Sequence, residues 1–569
     1  MQHILTTRAD LEPQFQTLLD QEIDSLTSLQ DWIDEMDALE SLLQNDFAWR
    51  YIQQSRYTDD PQHKKNYEAF LSDIYPHWIA ISDQIWHKIV SSSYADQLPS
   101  KYHNFIRSTK HALELYREAN IPLFAQQQSL EAQYSEVIGS WSITYREETL
   151  TLQQAAQYLK SPDRAVRKEI FELMEERRKA DAHKLDAILT KLVTLRTKIA
   201  QNCGFESYTQ YAYSSRFDYT QDQIHEFHEA IRSVVTSLGS ELIDHRKQVL
   251  WLQDLKPYDY SVPLRDIPQW DLFADEPEML DRLYQVYDRI DPSFADHMRA
   301  MDEQGLLDLV SRPGKASNGY NYPFAKSPYG FIFMNDMLDE RARFTLVHEW
   351  GHALHHALTY QHVDVESLRR TPSELAEVAS MAMELFSLGD VDKIGWSDAQ
   401  QCVALTNKIA DDLLMFAWIS KVDLFQERLY DHPEHTVQER HDYWIELNRQ
   451  YPVALRTYET SSWSGEYQSY LETFYHRQMH IFANPFYYIE YGLAQIASMQ
   501  LYQQWQDDPE QAIGHYKAIL ASGYTRSIPE ALALWEVKFD FSTPFFAWLL
   551  ETMMEIYRAI SSEQWEISK

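Results

Sequence analysis

The stretch ARFTLVHEWGHALHHAL, residues 342–358, carries fold and chemistry together. Phe344, Leu346, Val347 and Leu354 give it an apolar body with no proline to interrupt it, so it reads as a buried helix. Inside it stand His348, Glu349 and His352, an H-E-x-x-H. Residues four apart share a helix face, so both imidazoles can reach one metal ion. Glu349, about 100° further round, can contact a metal-bound water without occupying a metal position. Two buried histidines and a glutamate need partners, and a cation supplies them. Zinc held by two histidines wants a third protein ligand and an open position for water.

Working outward, His355 and His356 follow His352 too closely on the same helix to wrap back round a metal, and HHALTYQHV lacks the metzincin pattern. His355 is either a residue near the site or a satisfied core histidine. TPSELAEVASMAMELF (371–386) offers a carboxylate instead. Thr371 to Glu374 marks a helix start, and Glu377, 25 residues after His352, has Ser380 and Glu384 on its face. Val378, Met381, Met383 and Phe386 surround that face, which argues against a solvated acidic stripe and makes Glu377 the third ligand. Ser380 and Glu384 are expected to orient the ligand imidazoles. Gly351 is expected to let backbone or substrate approach closely. HEFHE (225–229) and HPEH (432–435) lack two histidines four apart with an inserted glutamate, and read as solvated surface.

The surroundings of the motif are acidic and helical. The 569 residues carry 51 Lys+Arg against 86 Asp+Glu, a net charge of −35, which repels phosphate backbones and anionic lipids. Only 14 glycines are present, where average usage of ~7% gives about 40, so turns are few and helices long. Two cysteines supply no disulfide framework. The N-terminus has no secretory pattern, and the longest clean apolar run, PFFAWLL (544–550), is too short to span a membrane. A cytoplasmic protein without nucleic-acid or membrane partners is expected. Leu19 to Leu43 reads as one long amphipathic helix, and 140–152 as a small hairpin. Ser161 is the expected cap of the helix that follows, with Pro162 in its first turn, and Gly204 closes a helix through Leu185–Ile199. Five of the 14 glycines fall between Gly305 and Gly351, and Tyr329–Asn335 is β-prone, predicting a short sheet just before the motif helix. An extended peptide is expected to dock on the edge of that strand. Residues 1–155 form an N-terminal helical region with the hairpin near its end, and 156–569 a catalytic domain.

These residues resemble the thimet oligopeptidase and oligoendopeptidase F family of zinc metallopeptidases, most closely its oligoendopeptidase F branch. HEWGHALH resembles the family's HEFGHxxH, and EVASMAME (377–384) its E-x-x-S-x-x-x-E. RQMHIFANPFYYIEYGLAQIASMQLY (477–502) is similar to the branch's His- and Tyr-bearing helix. The likeness runs from near 161 to near 545, with Trp350 where Phe is common. It implies a mainly α, elongated zincin-like fold with a small sheet beside the zinc helix and a deep substrate channel. It also implies one Zn²⁺ per chain on His348, His352 and Glu377, Glu349 as general base, and His480, Tyr488 and Tyr491 as donors to the oxyanion. Tyr487 and Tyr475 are adjacent alternatives. The implied activity is hydrolysis of internal bonds in short unfolded peptides. A helical zinc carboxypeptidase and a catalytically inert peptide-binding protein are the competing readings.

Overall fold

In the computed structural model, which describes residues 6–262, 273–312, 314–316, 319–336, 338, 340–388 and 398–567, helices dominate and begin where the sequence supplies caps. The expected helix through Leu19–Leu43 is two: Arg8–Asp20 ends before an extended Ser25, whose hydroxyl accepts from the Ser28 amide and starts Leu26–Arg56. The cap of the Arg164–Ala180 helix is Asp163, accepting from the Ala165 amide, and not Ser161, whose carbonyl is instead bound by Arg167. The helix Ala182–Asn202 does end at Cys203 and Gly204, the latter at φ +92°.

Strands are few and short. β1 (Ser142–Tyr145) and β2 (Glu148–Thr151) form the expected hairpin, turning through Arg146 and Glu147, both in the left-handed region. β3 (Leu307–Val310), β4 (Tyr320–Pro323) and β5 (Gly330–Asp336) form a three-stranded sheet, and β6 (Val453–Ala454) pairs with β7 (Tyr458–Glu459).

Two compact units interleave along the chain. One comprises Met1–Leu115, Gln269–Gln401 and Ala494–Phe539, the other Tyr116–Pro268, Cys402–Leu493 and Asp540–Lys569. In the first, Leu29, Trp32, Ile33 and Met36 of the N-terminal helices share a core with Val363, Val365 and Leu368, the connector that follows the motif helix. Ser367 of that connector bonds Asp37 through both its amide and its hydroxyl, and Arg370 bonds Glu40 at 2.9 Å. The sheet of this unit has the order β3–β5–β4, with β3 parallel and β4 antiparallel to β5. Phe331, Ile332, Phe333 and Met334 are all fully buried, as a central strand covered on both faces requires. The second unit holds the hairpin, the helices Ala182–Asn202, Gln221–Leu250 and Val437–Gln450, and most of Asp398–Asp431. No helix among the described residues is long and apolar enough to cross a membrane.

Candidate metal centre and catalytic residues

The motif lies on the helix Glu340–His362, and Glu377 on Ser373–Phe386. The two meet at Gly351, where an added Cβ would stand 2.5 Å from the Ala379 carbonyl oxygen and 2.6 Å from Ser380 Cα. Gly351 therefore serves the approach of helix backbone to helix backbone, not of substrate. Tyr516 holds the same turn from outside, its hydroxyl donating to the Ala379 carbonyl at 2.7 Å. Trp350, next to the glycine, points into the core against Tyr287 and His297.

This crossing brings three ligand atoms together. His348 Nε2 and His352 Nε2 face each other at 3.3 Å, and Glu377 Oε2 stands 3.6 and 3.8 Å from them. The point equidistant from all three lies about 2.1 Å from each, matching zinc–nitrogen and zinc–oxygen bonds of about 2.0–2.2 Å. Both rings aim lone pairs inward because their other nitrogens are occupied. His348 Nδ1 donates to Glu384 Oε1 at 2.7 Å, and His352 donates to the Ala376 carbonyl. Ser380 orients the carboxylate and not an imidazole, its hydroxyl donating to Glu377 Oε2 at 3.0 Å. Glu384 thus takes its expected part, Ser380 takes a different one, and the Ala376 carbonyl had no side-chain signature to find it by.

The electrostatics fit a cation. Burial alone would lower His348, but the Glu384 hydrogen bond and the charges of Glu384, Glu377 and Glu349 outweigh it and hold the ring up to about 9. His352 goes the other way, pushed well below the ordinary range by burial and by the charge on His348. The carboxylates thus favour positive charge between the rings.

Glu349 is buried beside this group. Burial raises its pKa against the opposing pull of His348 and of a hydrogen bond from the Asn321 backbone amide. Asn321 lies in β4, opposite Ile332 of β5. The expected docking edge on Tyr329–Asn335 does not exist: β5 is paired on both sides, and the sheet's edges are β3 and β4. His355 is buried outside the ligand group, burial and His356 lowering it to about 4, while His356 Nε2 bonds the Ser327 carbonyl at 2.7 Å.

The remaining predicted residues lie in the second unit. His480 is surrounded by the rings of Tyr487, Tyr488 and Tyr491, with centroids 5.7, 4.9 and 6.1 Å away. Tyr488 and Tyr491 contact each other at 5.4 Å. Tyr475, the other alternative, is fully buried and bonds Asp186 at 2.8 Å. HEFHE is solvated as expected at His225, Glu226 and Glu229, but not at Phe227 and His228. His228 is buried on Asp423 at 2.9 Å, and the exposed His225 bonds Glu427 at 2.7 Å.

The model of the Peptidase M3 N-terminal domain matches residues 3–115, and that of Peptidase family M3 residues 157–549. The oligoendopeptidase F homolog of Lactococcus lactis subsp. lactis (strain IL1403) is 26% identical over 233 residues, 40% of this chain and 36% of that protein. The plasmid oligoendopeptidase F of Lactococcus lactis subsp. cremoris is 25% identical over 228 residues, 40% and 36% of the two chains. The match thus spans little more than a third of these curated relatives. A solved structure of Pz peptidase A with an inhibitor superposes with a TM-score of 0.88 at 23% identity, covering 98% of both chains, which establishes the shared fold. With the family's model matched over more than half of its length, and the fold shared end to end, the chain belongs to peptidase family M3.

Proposed function

We propose that the chain is a zinc-dependent endopeptidase that hydrolyses internal bonds of short unfolded peptides. The observation that carries this reading is the His348–His352–Glu377 triangle, with two lone pairs and a carboxylate converging at zinc-bond distance. Bound by those three residues, one per chain, zinc would lower the pKa of water to about 7 and polarise the scissile carbonyl.

The chain's own residues do the rest. Glu349 takes the proton of the attacking water and delivers it to the leaving amine. Glu384 and the Ala376 carbonyl keep both ring lone pairs turned inward, and Ser380 fixes the carboxylate rotamer. On the strength of the motif resemblance, His480, Tyr488 and Tyr491 donate to the developing oxyanion, where a prepositioned donor contributes about 2.7–4 kcal/mol. An extended peptide would dock by strand addition on β4, the strand whose Asn321 amide meets Glu349. Short peptide partners, a cytoplasmic site of action and the absence of nucleic-acid or membrane partners belong to the same proposal.

Elemental analysis combined with a peptide blocked at both ends tests the reading. One equivalent of zinc and internal cleavage are expected. Cleavage only of peptides with a free C-terminus would favour a carboxypeptidase, and full occupancy without turnover a peptide-binding protein.

A further inference from the structure

We propose that Gln478, oriented by Trp418, holds His480 as its Nε2–H tautomer, so that the ring presents a hydrogen-bond donor from Nε2 at neutral pH. Gln478 and Trp418 are then positioning residues for a histidine that the sequence motif brings to attention without saying which nitrogen carries its proton. The importance of the tautomer for turnover rests on the proposed role of His480 as an oxyanion donor; the tautomer itself does not.

The argument runs from a group whose polarity is fixed. Trp418 is fully buried, and an indole nitrogen can only donate. It donates to Gln478 Oε1 at 3.3 Å, so that end of the amide is the oxygen. The other end, Nε2, has two hydrogens and no lone pair to offer, and it stands 2.7 Å from His480 Nδ1. Nδ1 must therefore accept. A neutral imidazole has one N–H, which is left on Nε2.

The surroundings keep the ring neutral and the relay stiff. Burial first, and then the charge of Arg456 beside β7, lower His480 to about 4. Among the described residues, the Gln478 amide and the rings of Tyr487, Tyr488 and Tyr491 also face it. Trp418 is wedged between Trp444 and Phe474, with ring centroids at 5.7 and 5.8 Å, and Lys421 Nζ sits 5.4 Å from its ring. Gln478 is buried, and its backbone amide is tied to the Tyr475 carbonyl at 3.0 Å. A conventional general acid needs a proton it can give up near pH 7; a ring held neutral by this relay suits a donor that keeps its proton through the reaction.

Two measurements on the full chain test the assignment. With ¹⁵N-labelled histidine, the signal lost in His480→Gln identifies the ring, and its two nitrogens are expected as bare Nδ1 and protonated Nε2. Gln478→Glu is isosteric and still accepts from Trp418, but it sets an acceptor against Nδ1 and draws the proton there. Its kcat should fall on the order of 10²-fold at pH 8, the effect of losing one such donor, with KM and Tm near wild type. The ratio of variant to wild-type kcat should then rise as pH is lowered, because the imidazolium regains a proton on Nε2. A wild-type ring protonated on Nδ1 overturns the proposal, as does a Gln478→Glu ring whose signals match wild type. Wild-type kcat in His480→Gln, together with a wild-type ring protonated on Nε2, overturns the donor role and leaves the tautomer assignment standing.

Discussion

His348, His352 and Glu377 in one unit, and Asp186, His441 and His476 in the other, each bring two imidazoles and a carboxylate within 4.8 Å. Residue types alone do not separate them; the direction of the hydrogens does. In the first group the Nε2 atoms of His348 and His352 face each other beside Glu377, with Glu349 and Glu384 near, an arrangement that favours positive charge between them. In the second, donors converge on Asp186: Tyr475 at 2.8 Å, His476 at 3.0 Å, and the Arg440 guanidinium at 3.3 Å. His441 Nε2 stands 3.3 Å from its other oxygen. Burial would raise the Asp186 carboxyl, but these donors hold it far below the usual carboxylate range. Arg440 is itself fully buried and already supplies the positive charge a metal would bring. The first cluster has the geometry of a cation site, whereas in the second the carboxylate is already matched by donors and by the charge of Arg440.

The comparison can be broken most severely by removing the metal. Chelation should abolish activity and zinc should restore it, with one equivalent bound per chain and none lost in Asp186→Asn. A second equivalent that vanishes in Asp186→Asn would make both clusters metal sites. Next in size is Glu349→Gln, expected to keep zinc and fold while losing about 10²–10⁴-fold in kcat. Wild-type turnover in that variant would remove the glutamate from the mechanism. Tyr491→Phe keeps the ring and removes the donor, so kcat should fall about 10²–10³-fold with KM and Tm nearly unchanged. A lower Tm with intact kcat would make Tyr491 a structural residue. Glu384→Gln should weaken zinc binding by about 10–100-fold, read by competition with a chelating dye, since it loosens one ring but deletes no ligand.

The smallest effect separates the clusters by pH. Burial pulls His476 below its ordinary pKa despite Asp186, so the hub favours the neutral ring. A group depressed in the folded state contributes stability above its unfolded pKa, near 6.5, and loses it as pH falls toward the folded value. Thermal denaturation should therefore show a modest loss of stability below about pH 6.5, and a smaller one in His476→Gln.

Much of this was legible in the sequence, for local reasons. The hairpin, the motif helix and the Glu377 helix are each signalled by alternation, periodicity or caps within a few residues. The placement of Glu377 beside His348 and His352 followed from a carboxylate set among apolar neighbours. What was not legible is non-local. The run 329–335 gives no sign that it will be paired on both sides, because its partners are short and lie at 307–310 and 320–323. His228 of HEFHE reads as solvated until Asp423 arrives from a helix nearly 200 residues later. The Ala376 carbonyl and the Asn321 amide belong to the backbone, which every residue has. The interleaving of the two compact units is non-local as well, since each gathers segments far apart in the chain.

Gly351 has a mechanical consequence. The helices that carry His352 and Glu377 touch through bare main chain, with no side chain interposed at the crossing. A joint without a compliant layer has no rotamers to hop between, so warming that loosens ordinary side-chain contacts leaves this crossing in place. The same joint has no slack: a single methyl at this position must push the helices of His352 and Glu377 apart, so the tolerance of the proposed metal centre to change is set by the one residue in it that has no side chain.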